Sequence, residues 1–394
     1  MRATRLPTPF LHTHDGTTHG HAPEPTVAAI GPGVWHVHGT VLPGAEPGDL
    51  WISGGRVHTH PIADATTIAR DAWILPGLVD AHCHIGLGPD GPVKHDTSER
   101  QALTDRDAGT LLIRDAGSPS DTRWIDDRPD LPEIIRAGRH IARPQRYIRH
   151  YADEVDPGEL VTAVERQAAR GDGWVKLVGD WIDRQIGDLT PLWPDDVAAA
   201  AIARAHELGV RVTAHCFGEE SAAQLVRAGI DGIEHGTGLD TATIALMAER
   251  GVSLVPTMVN LENFPAIAGQ AEERFPRYAA HMRALHGRRL ETIGSAIDAG
   301  VRVYAGTDAG GSVPHGLIGR EIELLAAVGG IEFALGAASW RARSWLGRPG
   351  LVDGAPADLV IYATDPRRDP AAVRHPVLVV IKGGVVAPAT PHGA

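Results

Sequence analysis

The chain has 394 residues, 43% of them hydrophobic and 22% charged, with a net charge of −12 when histidine is neutral. That composition suits a globular protein with a sizeable core and excludes wholesale disorder. The acidic balance lacks the basic field by which nucleic acid or an anionic membrane is bound. Two distant cysteines, Cys83 and Cys216, make no disulfide framework and fit a reducing cytoplasm.

Residues 1–30 are rich in Pro, Thr, His and Gly without periodicity and read as a loose arm. They lack the apolar run of a secretory signal, and no stretch of about 18 apolar residues is present to span a membrane. From Trp35 and Val37 the pattern alternates. Two apolar runs then flank Ser53-Gly54-Gly55, which predicts a tight hairpin, because glycine supplies the positive φ such turns need. The other end repeats the device, with a strand over Ala357–Tyr362 and a hairpin around Lys382-Gly383-Gly384. Neither segment can bury a core alone. Residues 31–75 and 345–394 are therefore expected to form one small β domain.

Over residues 76–344 strand and helix signals alternate. Buried-strand runs occur at Gly77–Ala81, Thr110–Ile113, Trp174–Val178, Val210–Ala214, Gly229–Ile233, Val252–Val255 and Val301–Ala305, with an eighth near Glu133–Arg139. Helical stretches include Pro157–Arg170, Pro194–Glu207, Glu219–Arg227, Thr241–Glu249 and Arg283–Asp298. Eight strands alternating with helices predict an α/β fold of the (β/α)8 TIM-barrel kind. A doubly wound sheet is the alternative, but no GxGxxG follows the first strand.

Barrel active sites sit at the C-terminal ends of the strands. The first strand runs into His82-Cys83-His84, and a period of two puts both imidazoles on one face. Lys176 interrupts the apolar fourth strand, where an unpaired lysine is seldom buried. The fifth strand ends in His215, the sixth in His235 and the eighth in Asp308. The HxH spacing alone means little, since it recurs at His12/His14, His19/His21, His36/His38 and His58/His60. Each residue has a plain reading on its own: a satisfied polar side chain, a snorkelling lysine, a turn-opening aspartate. All of those readings would have to hold independently on five strands.

Leu75-Pro76-Gly77-Leu78-Val79-Asp80-Ala81-His82-Cys83-His84, Ile233-Glu234-His235-Gly236-Thr237 and Ala305-Gly306-Thr307-Asp308-Ala309-Gly310 resemble the amidohydrolase superfamily. The nearest branch is the one with imidazolonepropionase-related enzymes and prolidases. The resemblance spans about residues 34–390 and implies that the terminal segments form an accessory β-sandwich. It also implies that His82, His84 and Asp308 bind one divalent ion and His215 and His235 a second. Lys176, converted by CO2 to a carbamate, would bridge them. Nitrogen and oxygen ligands suit zinc, with manganese, iron and cobalt as alternatives. The implied reaction is attack of a binuclear-metal-activated hydroxide on an amide-type C–N bond, in a dipeptide, an N-acyl amino acid or a cyclic amide. Asp308 would take up the proton and return it to the leaving amine. A mononuclear deaminase or imidazolonepropionase-like enzyme is the alternative, and a lactonase or esterase a minor one.

Relatives often carry a Gly-Gly-His segment after the third strand, for which Arg146–Tyr151 stands here. Tyr147, Arg149 and His150 are candidates to hold a carboxylate or carbonyl of a small-molecule substrate, against the plainer reading of a solvated basic loop. His315, with Arg320, is a similar candidate. Trp181 and Trp193 stand where they could wall the mouth, ordinary packing being the plainer reading. Both cysteines are expected to be buried structural thiols, and a homo-oligomer is compatible with this reading.

Overall fold

The computed structural model describes residues 33–387, so the His-rich arm, with His12, His14, His19 and His21, lies outside the described residues. The first four strands are β1 (Trp35–Val41), β2 (Pro47–Ser53), β3 (Arg56–His58) and β4 (Thr66–Pro76). Gly54 and Gly55 take φ of 57° and 75° between β2 and β3, the two positive values that a tight hairpin with right-handed twist requires.

The parallel strands follow as β5 (Leu78–Cys83), β6 (Thr110–Asp115), β7 (Glu133–Arg136), β8 (Trp174–Val178), β9 (Arg211–Cys216), β10 (Gly232–His235), β11 (Ser253–Val255) and β12 (Arg302–Val303). The final strands are β13 (Leu359–Tyr362), β14 (Leu378–Ile381) and β15 (Gly384–Val386). Sequence and structure differ mainly at strand starts. Gly229 is not in β10; it caps the preceding helix in a left-handed conformation, so the strand begins at Gly232.

The two ends of the chain meet in one seven-stranded sheet of order β15-β14-β13-β4-β1-β2-β3. β13 lies antiparallel to β4, with Ile361 opposite Ile74. The far edge curls back: Val57 N donates to Ala355 O and Ala357 N to Gly55 O, both at 2.9 Å. Val37, Ile52, Ile74, Leu359 and Val380 form its apolar interior.

The parallel strands form two ladders, β5-β6-β7 and β8-β9-β10-β11-β12, the second extended beyond β8 by two short strands. Backbone bonds join the ladders on both sides. Asp172 N donates to Arg136 O at 2.7 Å; Ala81 N to Ala305 O at 2.8 Å; Asp308 N to His82 O at 2.7 Å. Helices cover the outside: α1 (His95–Asp107), α2 (Leu160–Ala168), α3 (Asp195–Glu207), α4 (Glu219–Ala228), α5 (Thr241–Arg250), the single turn α6 (Met258–Leu261), α7 (Phe264–Ala271), α8 (Pro276–Asp298) and α9 (Ile318–Gly329). The main core lies between strands and helices and includes Val175, Val212, Ile233, Leu254, Ile202 and Leu225. The fold is thus α/β with parallel strands. Among the described residues no helix is long and apolar enough to cross a membrane.

One polar clamp pins α8 against its neighbours. His281 Nδ1 lies 2.8 Å from Asp188 and Nε2 3.0 Å from Glu219, and the hydrogen bond to Glu219 raises its pKa to about 9. A histidine raised in the folded state stabilises fully below its unfolded value near 6.5 and loses that contribution as pH climbs through 9. His281→Gln should therefore lower the unfolding midpoint most at pH 6 and match the wild type past pH 9.5. A difference that does not change with pH would show that the clamp is not ionic.

Candidate metal centre

The first strand delivers two imidazoles whose tautomers are set by their neighbours. His82 Nδ1 faces the Glu234 carboxylate at 2.7 Å, and His84 Nδ1 faces the Gly117 carbonyl at 2.7 Å. Both partners are acceptors, so both Nδ1 atoms carry the hydrogen and both Nε2 atoms present lone pairs. Those two atoms lie 3.1 Å apart, and Asp308 Oδ1 lies 3.0 Å from one and 2.9 Å from the other. Three electron-rich atoms converge on one point.

The second pair repeats this. His215 Nδ1 lies 2.9 Å from His235 Nε2, while His235 Nδ1 meets Thr257 Oγ1 at 2.7 Å. His215 Nε2 is buried without a hydrogen-bond partner, 3.7 Å from Asp180 Oδ1. Ligand atoms of His82, His235 and Asp308 all fall within 4.8 Å of one another, which ties the two pairs together. Burial holds His215 well below the usual imidazole range and brings His235 to about 3, so the His215–His235 separation is not bridged by an imidazolium proton.

Lys176 Nζ is buried and has no hydrogen-bond partner. Desolvation lowers its pKa to about 8, and its charge is felt at Glu234, Asp308, His215 and His235. A lysine so placed gives up its proton far more easily than an exposed one. Its nearby carboxylate is already engaged: Glu234 accepts from His82, from Arg114 Nη2 at 2.6 Å and from the Thr213 hydroxyl. Burial alone would push Glu234 upward, but the Arg114 guanidinium and His82 hold it well below the usual carboxylate range. Four imidazoles, one buried amine and one carboxylate thus fit divalent cations as a donor set.

Backbone strain marks the same place. Of the eight non-glycine residues with positive φ among those described, three are His235 (67°), Thr257 (48°) and Asp308 (61°). Each such residue costs about 1–3 kcal/mol, and such outliers cluster where side chains must be aimed. Asp80, fully buried, accepts from the His82 and Thr307 amides and from the Thr307 hydroxyl, locking the first strand to the last.

The substrate candidates divide. Tyr147 reaches the site: its ring lies 5.7 Å from His215 and 4.8 Å from Trp181. Arg149 and His150 do not; both are exposed, and the His150 carbonyl is tied to Arg139. The basic run that placed them at the mouth turns outward at a left-handed His150. His315 also lies apart, its Nδ1 2.8 Å from Asp105 and 3.8 Å from Cys83, on the opposite face of β5 from the two imidazoles. Arg320 pairs with Glu262. Trp193 is buried and donates to Val178 O, so it packs, whereas Trp181 lies 5.4 Å from His215. Cys83 and Cys216 are free and buried.

His140 escaped the sequence reading. It is buried, stacks on His84 at 5.0 Å and has an Nδ1 without a partner. It stands in Gly138-Arg139-His140, just beyond the end of β7. Asn260, which donates to Asp308 Oδ2 at 2.7 Å, was also missed and carries no sequence signal. Of the repeated HxH pairs, His36 and His38 bind Asp49, and His58 and His60 stand beside Asp353 at the surface.

Removing Arg114 tests the buried charge balance. Arg114→Met leaves Glu234 ionised and short of its cation, which costs about 3–5 kcal/mol in urea unfolding. A loss below about 1 kcal/mol would mean that Glu234 is not charged as described.

With this geometry in view, the chain was compared with known proteins. The model of the Amidohydrolase family matches residues 187–386. An uncharacterized protein of Mycobacterium tuberculosis (strain ATCC 25618 / H37Rv) is 58% identical over 355 residues, which cover 90% of this chain and 96% of that protein. The ochratoxinase of Aspergillus niger is 27% identical over 378 residues, 91% of this chain and 75% of that protein. Among solved structures, a Xaa-Pro dipeptidase with bound methionine aligns with a TM-score of 0.76 at 21% identity, covering 90% of this chain and all of the other. The A. niger ochratoxinase structure aligns at 0.71 and 20%, over 91% of this chain and 95% of the other. The family match and the mycobacterial relative together show that the chain belongs to the amidohydrolase family.

Proposed function

We propose that this protein is a metal-dependent hydrolase of amide-type C–N bonds in a small-molecule substrate. The observation that carries the reading is the convergence of the His82 and His84 lone pairs and the Asp308 carboxylate within about 3 Å, an arrangement that repels itself unless a cation lies among them. His82, His84 and Asp308 would hold one divalent ion and His215 and His235 a second, zinc being the best match to this donor set. Lys176, desolvated and unpaired, is the group to join them after conversion to a carbamate. Its presence favours the binuclear reading over a mononuclear deaminase, which has no use for a buried amine there.

Bound divalent ions would polarise the scissile carbonyl and acidify a water towards neutrality. Asp308 would serve as the proton carrier between a water and the leaving nitrogen, its second oxygen held in place by Asn260. Glu234 keeps His82 in the tautomer that points Nε2 inward. Tyr147, Trp181 and Phe217 form an apolar wall around His215 that excludes water from the reacting bond. His140, with its free nitrogen beside His84, is placed to meet a substrate oxygen.

We further take the two parallel ladders as arcs of one (β/α)8 barrel spanning about residues 76–344, and the sheet of residues 31–75 and 345–394 as the superfamily's accessory sandwich. The bonds from Ala81 to Ala305 and from Asp172 to Arg136 support the first, and the curled edge at Val57 the second. The two free buried thiols accord with a cytoplasmic setting.

Purified protein should contain two divalent ions per chain by emission spectrometry; active metal-free protein would sink the mechanism. Asp308→Asn should lower turnover by about 10²–10⁴-fold with the fold retained. Lys176→Ala should lose metal that added bicarbonate does not restore, and unchanged metal content would remove Lys176 from the site. Activity is best sought over dipeptides, N-acyl amino acids, lactams and lactones, and hydrolysis of lactones alone would overturn the C–N assignment.

A further inference from the structure

Thr257 and Asn260 stand three residues apart on one turn, yet they reach different halves of the centre. Thr257 Oγ1 meets His235 Nδ1, and Asn260 Nδ2 donates to Asp308 Oδ2, each at 2.7 Å. The turn is not one its sequence favours. β11 stops at Val255, and Thr257, a β-branched residue, is driven to a φ of 48° before α6 begins.

The group that holds it there comes from elsewhere in the fold. Glu321 of α9 is fully buried, and its two oxygens accept the Met258 amide at 3.0 Å and the Val259 amide at 2.9 Å. These are the first two amides of α6, which have no partner within the helix. No ion pair involves Glu321 among the described residues. Burial pushes its carboxyl up to about 8, with the two amides pulling against that shift. A buried carboxyl group without a cationic partner is a poor device for stability alone, since an apolar side chain of similar volume would pack at less cost. Its two bonds instead fix the orientation of the segment that carries Thr257 and Asn260.

We propose that Glu321 is a positioning residue that acts through the turn 257–260 on both halves of the centre, aiming His235 and Asp308 together although it touches neither. The inference rests on the metal-centre reading above.

The test is cobalt(II) uptake by the full-length protein, followed by its visible absorption and by titration with a chelator. Glu321→Gln, which keeps the volume but sets an amide against one backbone N–H, should weaken cobalt retention by about 10-fold or more and change the absorption bands. Thr257→Val should weaken it similarly, and Thr257→Ser should restore it. In a Thr257→Val/Asn260→Ala background, adding Glu321→Gln should change retention by no more than about two-fold, because its route of action is gone. Two results would overturn the proposal: a Glu321→Gln protein with a lower melting point but wild-type affinity and spectrum, or an undiminished effect in that background. If Glu321→Gln does not fold, the Thr257 pair decides, and equal cobalt affinity in the valine and serine variants overturns it. Wild-type protein that takes up no cobalt would instead sink the metal-centre reading itself.

Discussion

The structure depends on holding electron-rich atoms against their mutual repulsion. Two imidazole nitrogens and a carboxylate oxygen face one another at about 3 Å in a setting too dry for water to screen them. Each is kept there by a separate support: Glu234 behind His82, the Gly117 carbonyl behind His84, Asn260 behind Asp308. Glu234 needs a support of its own. Arg114 supplies it, lying against the rings of Trp174 and Trp345 at 4.8 and 5.2 Å. Trp174 thus serves as a floor for two guanidinium groups, because Arg211 lies over it as well.

This layering explains what the sequence could disclose. Ligand-type residues at strand ends are legible because two periodicities intersect there: the alternation along a strand and the spacing of strands along the chain. That intersection picks His82/His84 out of five identical spacings, and the structure brings those two together with Lys176's neighbours while leaving His36/His38 on a surface aspartate. The terminal sheet was legible for a similar reason, since two glycine-centred turns at opposite ends announced hairpins that could not stand alone.

The supports were not legible. Thr257, Asn260 and Glu321 are ordinary residues in ordinary surroundings until the turn after β11 folds over the site. His140 was hidden for another reason: it lies in a loop beyond β7, where neither the strand alternation nor a strand end marks it. Arg149 and His150 then looked like binding groups by composition alone. Their direction depends on a single left-handed residue that no periodicity reports. Local pattern identifies which atoms could do chemistry; tertiary contacts decide which way they point.

The pairing of β13 with β4 has a consequence for biosynthesis. Only Gly77 separates β4 from β5, the strand that carries His82 and His84. The partner that shields β4 is therefore made almost three hundred residues after it. Until that stretch emerges from the ribosome, an apolar strand edge stays open directly beside the nascent centre, ready to pair with another chain. Growing chains of this protein would be most vulnerable to aggregation in the interval between the emergence of β4 and that of β13, and a stop before β13 would forfeit the centre by unmooring its first strand.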